Sequence, residues 1–129
     1  MNSLADLDML LIPINQRQMH WMLAVLDLRN RHIFVVDSMQ ASEKRAEHYA
    51  KCLNRVVNDL YDQSTEKSTI LNHTIVKHVP RQTNANDCGL ALCLNMAMIA
   101  ESQQPNAPFC YNFDVEESFS KLARKMVAV

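Results

Sequence analysis

The chain predicts a mixed α/β (α+β) fold, with a central, mainly antiparallel sheet flanked by helices on both faces, as a single domain over residues 1–129. Three observations predict it. Trp21 to Leu26 and Ile33 to Val36 are nearly continuous apolar runs, the pattern of strands covered on both faces. The polar connection Asp27-Leu28-Arg29-Asn30-Arg31-His32 between them is short enough for a hairpin. From Ser42 to Asp62, the apolar positions Ala46, Tyr49, Ala50, Leu53, Val56, Val57, Leu60 and Tyr61 follow the i, i+3, i+4, i+7 rule of an amphipathic helix. A domain of this length buries roughly two-thirds of the surface its unfolded chain exposes, enough for such a core.

The elements follow in order. Leu7 to Ile12 reads as a short strand stopped by Pro13, and Asn15-Gln16-Arg17-Gln18 as a polar loop leading to His20-Trp21. After the hairpin and the first helix, Gln63 to Ser68 is a polar connection. His73 to Val79 alternates as a strand that Pro80 ends. Cys88 to about Ser102 reads as a largely buried helix, with Met96 and Met98 packed inward, and Pro105 and Pro108 mark a loop. A last helix is expected from Val115 to Val127. Asp114 would cap it, Glu116 and Glu117 stand in its first turn, and Lys121, Arg124 and Lys125 lie toward its end, as the helix dipole favours.

Composition narrows the function classes. Thirteen basic against 14 acidic residues give a net charge of −1, with no electrostatic reason for a nucleic acid or anionic membrane partner. The expected partner is a protein or a small molecule. The opening segment lacks a basic start, and its apolar run from Met9 to Ile14 is far too short for a membrane span. Cys52, Cys88, Cys93 and Cys110 form no CxxC pair and read as thiols in a reducing compartment. Cys52 and Cys93 are expected to pack in the core. His32, His48, His73 and His78 show no ligand spacing with the cysteines, so no metal or cofactor is implied.

The candidate chemistry gathers around Pro80-Arg81-Gln82-Thr83-Asn84-Ala85-Asn86-Asp87-Cys88-Gly89. Average usage puts Gly at about 7% of residues, yet this chain has one, placed directly after a cysteine. A bare backbone there predicts that something approaches Cys88 closely. In the hairpin, a turn centred between Leu28 and Arg29 sets His20 opposite Asp37, at a Cα separation of roughly 4.5 to 5.5 Å. The carboxylate would then orient the imidazole, leaving the other ring nitrogen to exchange a proton with a thiol. Cys88, starting a helix, sits where a thiolate is stabilised. Asp87 reads as the N-cap, its side chain turned to the backbone N–H groups. Gln82 can aim an amide N–H at a developing oxyanion, beside the backbone N–H of Cys88. Ser38 is a poor nucleophile here, because its neighbour Asp37 already holds the imidazole.

These residues carry a resemblance. Pro13-Ile14-Asn15, His20-Trp21, Asp37-Ser38 and the run from Pro80 to Gly89 resemble the ubiquitin-like-protein-specific (sentrin-specific, SUMO) cysteine proteases in order and spacing. The resemblance covers nearly the whole chain from Leu7 onward. It implies a papain-like fold with the nucleophile on a central helix, and cleavage after the C-terminal Gly-Gly of a ubiquitin-like modifier, SUMO first. It implies His20 as general base and acid, Asp37 as its orienting partner, Cys88 as nucleophile and Gln82 as oxyanion-hole donor. Trp21 corresponds to an aromatic that clamps the diglycine tail, which would run past Gly89. Expected partners are the modifier and its conjugates, handled by a monomer in the nucleus and/or cytoplasm. The family's catalytic domain normally begins well upstream and brings a second tryptophan, so this N-terminally short chain reads either as a fragment or as a reduced member whose tail clamp is half built. Arg81 stands where the family often has Gln. Two alternatives use the same residues: an inactive, modifier-binding remnant, and an effector-type acyltransferase, whose sequences generally lack the Gln82 to Gly89 pattern.

Overall fold

The computed structural model describes residues 7–17, 19–62, 71–82, 87–105 and 109, with the backbone alone for 60–62. The elements are β1 (Met9–Gln16), β2 (His20–Asp27), β3 (His32–Val36), α1 (Glu43–Asp62), β4 (Asn72–Ile75) and α2 (Cys88–Ser102). They form the α+β arrangement expected, with one sheet in the order β1-β2-β3-β4. The first three strands pair antiparallel and β4 joins β3 in parallel. The expected helix over Val115 to Val127, the Gln63 to Ser68 connection and Cys110 lie outside the described residues.

Strand β2 explains the layering, because every residue from Met22 to Asp27 is buried. Its alternate side chains serve opposite faces. Leu23 and Val25 pack with Val36 and with Leu92 and Ile99 of α2. Ala24 and Leu26 pack with Ile33 and with Ala50, Leu53 and Val57 of α1. The sheet is thus sandwiched between helices, and each fully buried Leu or Ile contributes about 1.5–3 kcal/mol through desolvation. Met96 and Met98 of α2 pack against the first of these clusters, as expected. Ser42 starts α1 by accepting the Arg45 backbone N–H on its Oγ at 3.2 Å. Asn54, one turn past Ala50, accepts the Leu71 N–H at 2.7 Å and donates to the Leu71 carbonyl at 3.1 Å, tying α1 to the start of β4.

Five expectations are corrected. Pro13 does not stop β1, which runs on through Asn15 and Gln16, two residues that were expected in the loop. Leu28 donates to the Asp8 carbonyl at 2.9 Å, and alternation from that bonded pair makes Pro13 opposite Leu23 a non-hydrogen-bonded pair. On this edge strand the proline nitrogen therefore faces away from β2 and no ladder bond is lost. Strand β4 ends at Ile75 rather than Val79, because its partner β3 ends at Val36 and turns away through a Gln40 N–H to Asp37 carbonyl bond of 2.9 Å.

The next two corrections concern side chains. Cys52 and Cys93 are exposed rather than packed. Cys52 is two residues, about 200°, around the helix from Ala50 of the buried stripe, and Cys93 shares the narrow solvent side of α2 with Ala100. Val56 is likewise exposed, at 52%. Asp87 occupies the N-cap position of α2 but makes no side-chain cap bond. At φ −94° and ψ 8° its backbone is already close to helical, whereas capping side chains fold back from extended backbone.

The hairpin register is the fifth correction. Leu23 lies opposite Val36 and Asp27 opposite His32, so the turn centres between Arg29 and Asn30, and the next step of the ladder puts Asp37 opposite Met22 rather than His20. The Asp27 carboxylate accepts both the backbone N–H of Asn30, at 3.1 Å, and its side-chain amide, at 2.9 Å. Arg31 takes a left-handed φ of 56°. This local chemistry holds a four-residue loop over 28–31.

Candidate active site

A register shift of two residues keeps every side chain on its own face. His20 and Asp37 therefore remain diagonal neighbours, close enough for long side chains to meet. His20 Nε2 lies 2.7 Å from Asp37 Oδ1. The Asp37 side chain is 1% exposed and that of His20 13%. An ionised carboxylate only accepts, so Nε2 carries the proton and donates, leaving the Nδ1 lone pair of the neutral ring. The same Oδ1 accepts the Met39 backbone N–H at 2.9 Å. Asp37 Oδ2 is buried without a hydrogen-bond partner among the described residues, so the two bonds to Oδ1 supply the compensation for burying the charge.

Cys88 is the first residue of α2 and is buried. The apolar residues that follow it carry α2 across the sheet face lined by Leu23 and Val25. That docking brings the head of the helix to the end of β2 where His20 stands. A Cβ built on Gly89 would lie 4.0 Å from Cδ1 of Trp21, the residue next to His20. Trp21 itself is 39% exposed, despite belonging to the apolar run of β2. Among the described residues, no hydrogen bond joins the Cys88 thiol to the His20 ring.

Gln82 reaches the site from the segment after β4. Its backbone N–H donates to the Ser38 carbonyl at 3.0 Å. The Ser38 hydroxyl donates to Gln82 Oε1. With Oε1 so engaged, the NH₂ end of the amide is turned away from Ser38. Residues Thr83 to Asn86 of the loop lie outside the described residues. The structure thus joins His20 with Asp37, Gly89 with Trp21 and Gln82 with Ser38. Ser38 is the participant that sequence reasoning missed, because it was weighed only as a nucleophile. A contact between residues 44 apart leaves no periodic or spacing signal in a single sequence.

The arrangement holds an oriented imidazole with a basic nitrogen, a thiol at a helix N-terminus and an amide donor on a tethered segment. Chemically these are the parts of a nucleophilic acyl-transfer site.

Comparison with known proteins gives the family and the fold. Residues 1–128 match the model of the Ulp1 protease family, C-terminal catalytic domain. The chain is 32% identical over 98 residues to sentrin-specific protease 2 of Rattus norvegicus, a match covering 70% of this chain and 16% of that protein. It is 34% identical over 93 residues to ubiquitin-like-specific protease 1 of Saccharomyces cerevisiae, covering 69% of this chain and 14% of that protein. Among solved structures, the C-terminal Ulp1 protease domain in complex with Smt3, the yeast ortholog of SUMO, superposes with a TM-score of 0.69 at 25% identity, over 97% of this chain and 51% of that one. The Chaetomium thermophilum Ulp1-like SUMO protease catalytic domain superposes with a TM-score of 0.65 at 28% identity, over 97% of this chain and 46% of that one. The chain therefore spans about half of these solved domains.

Proposed function

The chain belongs to the Ulp1 protease family, within its C-terminal catalytic domain, and from that premise we propose that it is a thiol peptidase that cleaves after the C-terminal Gly-Gly of a SUMO-type modifier. It would free the modifier from lysine conjugates, process its precursor, or both. The observation that carries this reading is the 2.7 Å bond between His20 Nε2 and Asp37 Oδ1. It leaves Nδ1 as the base, on the strand whose Trp21 lies beside Gly89, the residue after the thiol.

Each step follows from those positions. His20 Nδ1 takes the Cys88 thiol proton, and the sulfur attacks the terminal glycine carbonyl. The Gln82 amide and the Cys88 backbone N–H receive the oxyanion of the tetrahedral intermediate. Collapse breaks the C–N bond, and protonated His20 gives its proton to the departing lysine amine. Water, deprotonated by His20, then attacks the thioester and restores the thiol. Asp37 keeps the ring in one tautomer and stabilises the imidazolium. Trp21 and Gly89 line the path of the diglycine tail, where any side chain beyond glycine would crowd. The same reading has a monomer acting on modifier conjugates in the nucleus and/or cytoplasm. It assigns no role to nucleic acid or membrane, and no helix among the described residues is long and apolar enough to cross a bilayer.

Purified chain offered fluorogenic C-terminal amides of SUMO, ubiquitin and other ubiquitin-like modifiers tests the proposal. SUMO amide should be cleaved, and cleavage should vanish in Cys88→Ala. Binding of SUMO without turnover, and without labelling of Cys88 by an electrophilic SUMO probe, would mark a binding remnant. Consumption of acetyl-coenzyme A would mark an acyltransferase.

A further inference from the structure

We propose that Met19 and Met39 form an apolar docking surface for the conjugated protein, taking the residues that flank its modified lysine; this rests on the peptidase reading above. Among the described residues four large hydrophobic side chains are exposed: Met19 at 81%, Met39 at 54%, Val56 at 52% and Trp21 at 39%. Three of them gather at the end of the sheet where His20 and Asp37 meet, and only Val56, on α1, stands apart. Exposed hydrophobics scattered singly need no explanation. A group of them beside reactive side chains marks a surface that another molecule covers.

The backbone fixes both methionines against the imidazole. Met19 precedes His20 in the chain, and its N–H donates to the Gln16 carbonyl at 2.9 Å, closing the loop between β1 and β2. Met39 donates its N–H to Asp37 Oδ1 at 2.9 Å, the same oxygen that accepts from His20 Nε2 at 2.7 Å. Each methionine is therefore one peptide link or one shared acceptor away from His20. His20 is the group that hands a proton to the departing lysine amine. That amine leaves at His20, so the protein that carries it passes beside these two side chains.

The residue types separate the two halves of the substrate. The diglycine tail is the same in every conjugate, and its path is lined by a rigid indole and a bare backbone, Trp21 Cδ1 lying 4.0 Å from where a Gly89 Cβ would stand. The protein joined through its lysine differs from one conjugate to the next. Methionine is unbranched, with a polarizable sulfur and several rotatable bonds, and such side chains cover apolar partners of varying shape. The pair therefore favours lysines with apolar neighbours over lysines with polar ones.

Steady-state kinetics on SUMO joined by an isopeptide bond to the lysine of short peptides test this. The parent should cleave a peptide with leucines beside the lysine with kcat/KM about 5- to 30-fold above one with serines there. Met19→Gln combined with Met39→Gln, which keeps both backbone N–H bonds and much of the side-chain length, should bring that ratio within about twofold of unity. Val56→Gln should leave the ratio as in the parent. A parent ratio near unity, or a ratio that survives the double substitution, would overturn the proposal. Methionine ε-methyl ¹³C spectra of the Cys88→Ala chain supply a readout that needs no turnover. The Met19 and Met39 signals should shift with the leucine-flanked conjugate and stay in place with free SUMO. Equal shifts with free SUMO would assign the surface to the modifier, and shifts that follow protein concentration alone would assign it to a second copy; either result, or no shift at all, refutes the docking role. A parent that cleaves no modifier refutes the peptidase reading, and the methyl signals then decide separately whether a conjugate occupies this surface.

Discussion

Gly89→Ala separates what this glycine does for the fold from what it does for function. Gly89 lies in the first turn of α2, and no glycine in the described chain has a positive φ. A Cβ added there would meet only Trp21 Cδ1 within contact range, at an ordinary van der Waals distance of 4.0 Å. The fold therefore requires nothing that alanine cannot supply. Replacing glycine by alanine at a compatible site stabilises by about 0.4–1 kcal/mol, mainly by restricting the unfolded chain, and the first-turn position argues for the lower half of that range. A melting temperature about 1–4 °C above the parent is expected by calorimetry. Catalysis should move the other way. A methyl group placed on the path between α2 and the Trp21 indole crowds a bound tail much as an overpacked core does, at about 1–3 kcal/mol. At about 1.4 kcal/mol per factor of ten, kcat/KM on the SUMO amide should drop roughly 5- to 150-fold. A less stable variant, or one whose kcat/KM stays within about twofold of the parent, would refute the reasoning that the bare backbone serves the substrate.

The remaining predictions concern the base and the scaffold. Asp37→Asn should lower kcat by about 10²- to 10⁴-fold, because an amide no longer dictates that Nε2 carries the proton; a loss below about threefold would remove Asp37 from the mechanism. Asn54→Ala should destabilise by about 1–3 kcal/mol in urea, because both backbone groups of Leu71 lose their partner in a largely buried setting. Ile99→Ala, at a residue 0% exposed beneath the sheet, should cost about 2–5 kcal/mol. By contrast, Cys52→Ser and Cys93→Ser should each fall within about 0.5 kcal/mol of the parent, since both thiols are exposed; a large loss at either would mean that it packs after all.

Much of this molecule is legible in its sequence because it is periodic or local. The apolar run of β2 demands cover on two faces, and the stripe Ala46, Ala50, Leu53, Val57 supplies it on one side. His20 and Asp37 fall at one end of one hairpin, and any even register keeps them on a common face. Cys88 heads its helix because the apolar run begins there. The tertiary structure decided what depends on a partner elsewhere. Where the turn centred followed from how Asp27 bonds Asn30, and how far β4 extends followed from where β3 ends. Cys93 stands between two buried leucines in sequence yet outside the core, because α2 docks by the side that carries Leu92 and Ile99. The Ser38 to Gln82 contact belongs to the same class. Hydrogen bonds between distant segments depend on distances that no spacing within a chain encodes, so the sequence by itself determined which groups could do the chemistry, and only the packed fold decided which of them are held still.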